Sequence, residues 1–516
     1  MAAADVIVII LYFVLLFGIA IHVIRRKQKT SEEYFLAGRS IPWLLVMTSL
    51  FATDMSSTAF IGAAGTGYAH GIVFANFQWI AVVCILVLVV WLLPIYLHNR
   101  IVTLPEYLDR RYGKSARTVY SVICIFIYAL VEIPAVLYVG SLLLGEVTNL
   151  HPIAIFVVLG LLTGAYTIAG GLRAVVYADF MQAGFILVGG LYLGFASLHA
   201  VGGWAELNAK LPHTYFSAIQ GSESALPWPT LLTGLPVLGL WYWGTNQMIL
   251  QRVLGARTVN EGRLGALGGG ILKFTLPPML VLPGMCAAVL YPGLESPDLA
   301  YPTLIQHMVP VGFKGLVIAA FVAAMMSHVE GALNSASTLY VQDIHLRLIN
   351  SKLTDAHAIR LGKIVGFILI AGALLIAHQL HVASVYVFLQ QGYSYAAAPA
   401  VVLFLGGIFW KRANLWGALA AYVGGVGCMA GIEVYNQLCK PPWVPVNPFY
   451  QVAWAALAAL VAWWVFSLLT PRPGIAEEPL VEFREEPLST YPLLKRWPIW
   501  AFVCIVLLVV TYSVFR

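Results

Sequence analysis

Charge is what this chain has least of. Asp, Glu, Lys and Arg make up 10% of its 516 residues and apolar residues 60%, where a soluble domain carries roughly 25% charged residues. So few charges cannot clothe a water-facing surface, which excludes a soluble globular protein and makes lipid the main solvent. Cysteine is scarce too. The six (Cys84, Cys124, Cys286, Cys428, Cys439 and Cys504) are scattered without a CxxC pair, which fits small buried residues and not a disulfide framework or a metal site. GxxxxGK[ST] is missing, so there is no P-loop for ATP. The twelve histidines contain no HExxH. Only His378 and His381 share a helical spacing, and at the outer end of an apolar run they read as solvated. These absences argue against a pump or an intramembrane enzyme and leave a carrier driven by a gradient.

Long apolar runs are what the chain has in abundance. A helix of about 20 apolar residues crosses a bilayer, and about fourteen stretches qualify: 5–24, 42–68, 74–97, 118–146, 152–169, 175–200, 229–251, 264–292, 314–343, 361–380, 383–407, 414–435, 448–470 and 498–515. The predicted fold class is an all-α integral membrane protein, one transmembrane domain over 1–516. The first run follows Asp5 and lacks a basic leader, so it reads as a span and not a cleaved signal. The net charge of +6 has a topological cause. Lys and Arg crowd alternate gaps, as at Arg25, Arg26, Lys27 and Lys29, then Arg100, Arg110, Arg111, Lys114 and Arg117. The other gaps and the C-terminus hold only Lys210, Lys314, Lys440 and Arg516. Basic loops stay cytoplasmic, which places both termini outside a cell membrane and calls for no nucleic-acid partner. The polar stretches 202–228 outside and 471–496 inside read as loops, the latter acidic through Glu477, Glu478, Glu482, Glu485 and Glu486.

Polar residues inside these runs cost roughly 2.5–3.5 kcal/mol or more at mid-membrane unless they are satisfied. The second run reads Ala52-Thr53-Asp54-Met55-Ser56-Ser57-Thr58. That is poor helix for lipid, and irregular backbone at such depth needs cover from protein or a water-filled cavity. A Ser/Thr-rich helix packed on its neighbours, with Asp54 near an interface, is the plainer alternative. Five helices later, Trp241-Tyr242-Trp243-Gly244-Thr245-Asn246-Gln247 holds a similar place. Two interrupted spans at matching positions are the pattern of an inverted repeat, which pairs 42–200 with 229–407. One helix (5–24) precedes the repeats and three (414–515) follow. The ninth run carries Ser327, His328, Glu330, Asn334 and Ser337, most of them near one helical face. Glu132, Lys273, Gln78, and the pair Gln390 and Gln391 complete the buried polar set. An unpaired ammonium at that depth would lose its proton or be expelled, and Glu132 is the nearest guess for the partner of Lys273.

Several of these residues also carry a resemblance. Tyr166 through Gln182, read as YTIAGGLRAVVYADFMQ, is similar to the signature of sodium:solute symporters. The run from Trp241 through Gln251-Arg252 to Lys273, then Leu282-Pro283-Gly284 and Leu333 to Thr338, resembles the sodium/glucose cotransporter branch, and the likeness covers roughly 5–435. It implies a LeuT-type fold of two inverted five-helix repeats with discontinuous helices. It also implies a sodium site from the carbonyls of Ala52, Met55 and Ala324 and the hydroxyl of Ser327. The family's second hydroxyl is replaced by His328, and Asp54 follows Ala52 as in a proline-transporting branch. Asp179 and Glu330 match a second cation site of some relatives. For the solute, the resemblance implies Gln78, Lys273 and Gln391, with Tyr242 as inner gate and Phe77 near the outer one. Ala59, Ala81 and Gly239 are bare where the sugar branch has polar contacts, and Glu132 could replace one of them.

The expectation is a secondary symporter that couples inward sodium movement to uptake of a sugar, polyol or similar small polar solute, working as a monomer in lipid. His328 and Glu330 titrate, so H+ is a possible coupling ion in place of Na+, and an uncoupled carrier is open as well. A solute sensor without transport is the rival of another class, although no output domain is visible in the short loops.

Overall fold

The computed structural model describes residues 1–26, 28–377, 385–439, 447–471, 480, 483, 485 and 487–516. Lys27, His378, His381, Lys440, Glu477, Glu478, Glu482 and Glu486 lie outside the described residues. Among the described residues the chain is helical, and its β pairing is confined to two isolated bridges, Ile41 to Ala256 and Gln220 to Pro227. Eleven helical stretches among the described residues are long and apolar enough to cross a membrane, fewer than the fourteen runs predicted.

The difference arises at three places. The helical stretches α3 (Ser57–His98, 42 residues) and α5 (Pro152–Val201, 50 residues) each contain parts of two predicted spans. The third is 229–251, which is divided between α6 (Gly234–Leu240) and α7 (Gln247–Leu254), with a wide turn at Trp241–Thr245 between them. Both long stretches are interrupted by a glycine in the left-handed region, Gly71 with φ 74° and Gly171 with φ 58°. An L-side chain rarely adopts that backbone. A Cβ on Gly171 would also run into the carbonyl and ring of Tyr34, whose hydroxyl donates to the Ile168 carbonyl at 2.9 Å.

The other principal helices are α1 (Ala3–Ile24), α2 (Trp43–Asp54), α4 (Lys114–Thr148), α8 (Val259–Leu290), α9 (Phe313–Ile349), α10 (Asp355–Ala377), α11 (Val385–Phe409), α12 (Leu415–Leu438), α13 (Pro448–Leu469) and α14 (Trp497–Val514). In α9 every residue from Val317 to Leu339 is buried, so this helix is the axis of the bundle. The peripheral helices turn apolar side chains outward, such as Ile7, Leu11 and Val14 on α1 and Phe502, Val509 and Val510 on α14. That inversion of the soluble pattern is the mark of a lipid-facing surface. Two expected loops carry structure of their own. The stretch 202–228 holds the helix Trp204–Lys210 and a tight turn at His213–Phe216. In the stretch 471–496, Glu485 pairs with Arg263 of α8, whose guanidinium also lies 4.5 Å from the Trp497 ring centroid.

Gly171→Ala must adopt the strained backbone and displace Tyr34, at a cost of about 1–3 kcal/mol. Thermal unfolding in detergent should show a lower midpoint than the parent. An unchanged midpoint would contradict the strain.

Candidate functional site

The backbone leaves the helix between α2 and α3. Met55 and Ser56 are extended, with φ/ψ of −81°/128° and −135°/164°. Each end is closed locally. The Met55 amide donates to the Ala52 carbonyl at 3.1 Å, and the Ser56 hydroxyl accepts from the Ala59 amide at 3.1 Å as the cap of α3. Asp54 sits just ahead of the N-terminus of α3, where a carboxylate is favoured by the helix dipole. The second interruption, between α6 and α7, is closed by Asn246, whose side chain accepts from the Met248 amide at 2.9 Å. Three tyrosines meet the groups freed there: Tyr96 donates to the Gly244 carbonyl at 3.1 Å, Tyr120 to the Thr245 carbonyl at 3.1 Å, and Tyr128 to the Asn246 side chain at 2.6 Å.

A cavity of about 150 Å³ lies against the first break, room for roughly five waters. Asp54, Gln78, Lys273, His328, Tyr242 and Phe77 are among its lining residues. Lys273 begins a tight turn inside α8 and is 3% exposed. Its ammonium pairs with Asp54, donates to the Gln78 side-chain oxygen at 2.8 Å, and lies 4.5 Å from the Trp243 ring centroid. The pairing guessed with Glu132 is therefore wrong. Glu132 ends a wide turn of α4 and faces α9 and α11, where it accepts from Tyr393 at 2.8 Å and meets the His328 Nε2 at 3.0 Å. It stands behind the cavity wall and does not line it. Gln391 is likewise absent from the wall, which holds its neighbour Gln390 instead. One residue turns a helix by about 100°, and that is enough to exchange the two amides. Ala59, Ala81 and Gly239 do line the space.

The remaining predicted residues meet where α2, α5 and α9 touch. Ser327 donates to Asp179 and lies 3.4 Å from the Thr53 hydroxyl. His328 Nδ1 lies 2.8 Å from the Thr53 carbonyl, near the end of α2 and beside Ala52 and Met55. Ala324 stands one helical turn before His328 and is fully buried. Asp179 also accepts from Ser49. Glu330 is fully buried, and neither of its carboxylate oxygens has a hydrogen-bond partner among the described residues. Sequence reasoning missed Arg252, a cation counted with a cytoplasmic gap. It is 1% exposed, lies 3.5 Å from Asp179, and donates to the Ser49 carbonyl at 3.1 Å and the Met248 carbonyl at 2.7 Å. Two further polar residues of α9 bond within the bundle: Ser335 donates to the Gln251 side chain and Ser337 to the Gly362 carbonyl.

Comparison with known proteins adds the lineage. The profile of the sodium:solute symporter family matches residues 34–425. The chain is 32% identical over 455 residues to the sodium/glucose cotransporter of Vibrio parahaemolyticus, covering 82% of this chain and 83% of that one. It is 33% identical over 480 residues to the sodium/myo-inositol cotransporter 2 of Mus musculus, covering 84% and 70%. Among solved structures, the substrate-bound outward-open state of a Na+-coupled sialic acid symporter superposes with a TM-score of 0.81 at 22% identity, over 91% of this chain and 99% of that one. That likeness fixes a common fold.

Removing one partner of a buried ion pair strands the other charge, at a cost of about 3–5 kcal/mol. Lys273→Met should therefore destabilise by that order, and Asp54→Asn in the same chain should recover at least about half of it. Detergent unfolding of the two single variants and the double variant measures the coupling. Simple additivity would contradict the pairing.

Proposed function

The chain belongs to the sodium:solute symporter family, and from that premise we propose that it takes up a polyhydroxylated solute, a sugar or cyclitol, together with sodium. It is a sodium-coupled solute symporter from a family of membrane transporters, not of enzymes. The solute class draws on the relatives named for glucose and myo-inositol. The observation that carries it is the corner where Asp54, Lys273 and Gln78 meet on the cavity. An amide and a charged pair can donate to and accept from hydroxyls, while their opposite charges favour an uncharged solute.

Sodium would be held by the carbonyls of Ala52, Met55 and Ala324 and the hydroxyl of Ser327. These are hard oxygen donors of the kind an alkali cation prefers. Its charge would join α2 to α9, and α2 ends at the solute cavity. Cation and solute would then each strengthen the other's binding by one common factor. Asp179 and Glu330 form a possible second cation site, a reading supported by the unpartnered Glu330 carboxylate. Phe77 would cover the solute from outside and Tyr242 from inside, as the repeats 42–200 and 229–407 rock about the cavity. The breaks at Met55–Ser56 and Asn246 support that pairing of a LeuT-type inverted repeat. Fourteen spans, outward termini and a functional monomer complete the proposal. His328 holds the Thr53 carbonyl at the cation junction and contacts Glu132, which favours a weakened sodium site, with protons as the alternative coupling ion in place of sodium.

Proteoliposomes with an inward sodium gradient should accumulate myo-inositol or glucose, and replacing sodium by choline should abolish accumulation. Ser327→Ala should raise the sodium concentration for half-maximal uptake roughly tenfold, the worth of about 1.4 kcal/mol, and His328→Ser should lower it. Gradient-independent accumulation would sink the coupling.

A further inference from the structure

The cavity gathers its charged and amide groups at one end. Five of its other polar residues already have partners within the protein. The Ser56 and Thr58 hydroxyls bond each other at 2.7 Å. The Thr66 hydroxyl donates to the Ala63 carbonyl at 3.0 Å, and both His328 ring nitrogens are engaged by the Thr53 carbonyl and Glu132. Tyr393, which also borders the space, gives its hydroxyl to Glu132. The charged and amide groups left to a solute are the Asp54–Lys273–Gln78 corner and Gln390, with the Tyr242 hydroxyl beside them.

The walls above that corner are apolar stripes with helical spacing. Ala59 and Ala63 form one on α3, Ala81 continues the face of Gln78, and Leu235, Leu238 and Gly239 form a third on α6. The gap at Gly239 is filled from behind, since a Cβ there would meet the Cys84 sulfur at 2.7 Å. A hydroxyl turned toward Ala59, Ala81 and Gly239 gives up water with no charged or amide group to replace it, whereas a C–H edge or a methyl group loses nothing. A hexose held on the corner by one edge would turn its opposite edge to these walls.

We infer that the solute is a deoxyhexose, with its hydroxylated edge on the Asp54–Lys273–Gln78 corner and its deoxygenated, methyl-bearing edge against Ala59, Ala81 and Gly239. This deepens, and rests on, the reading of the site as one for a sodium-coupled polyol. The full-length protein in proteoliposomes, under an inward sodium gradient, is given two matched pairs of labelled sugars: L-fucose with L-galactose, and L-rhamnose with L-mannose. In at least one pair the deoxy member should be taken up with roughly tenfold higher kcat/KM. Ala81→Ser, which returns one hydroxyl partner to the wall, should narrow that ratio to about threefold or less. Equal or better uptake of the hydroxylated member in both pairs overturns the deoxyhexose assignment while the sodium-coupled reading stands. Absence of sodium-dependent uptake for all four sugars and for myo-inositol overturns that reading and this assignment together.

Discussion

At Met55 and Ser56 the backbone leaves the helix inside an apolar bundle, and every group it frees has to be met from within the protein. The neighbouring helices are arranged around that requirement. His328 of α9 comes to the Thr53 carbonyl, Ser56 caps its own following helix, and Lys273 of α8 reaches Asp54. Arg252 of α7 fastens the same end of α2 through the Ser49 carbonyl. Because these partners come from separate helices, the break ties together elements that a continuous helix would leave independent.

The same arrangement gives the site its chemistry. In the proposed arrangement a solute at the Asp54–Lys273–Gln78 corner and a cation at the Ser327 junction would both touch one short segment, Ala52 to Ser56. Each would then bias how that segment sits, which is the physical content of coupling. The second break, at Asn246, is met differently. Tyr96, Tyr120 and Tyr128 supply hydroxyls in place of charges, so that break is held by neutral groups that demand no counter-ion.

Much of this was legible in the sequence because lipid makes polar residues conspicuous. Asp54, Lys273 and Ser327 stand out in apolar runs, and the structure brings them to neighbouring positions. Their partners could not be read, since pairing depends on how helices more than a hundred residues apart are set against one another. Lys273 was assigned to Glu132, yet Glu132 faces His328 and Tyr393. Gln390 and Gln391 differ only in which side of α11 meets the cavity, and periodicity alone cannot choose between adjacent residues. Arg252 was hidden by its position at the end of an apolar run, where a cation is ordinarily solvated. The division of the long stretches α3 and α5 was legible, since the runs 42–68 and 74–97, and 152–169 and 175–200, part at Gly71 and Gly171, the glycines that interrupt each stretch.

If the cation junction and the solute cavity communicate through the broken helix, equilibrium binding to the purified protein shows it without relying on transport. Solute affinity is measured by titration in saturating sodium and in choline, and sodium affinity with and without saturating solute. The account predicts that both affinities rise by the same factor, on the order of tenfold or more. A solute affinity indifferent to sodium would contradict it.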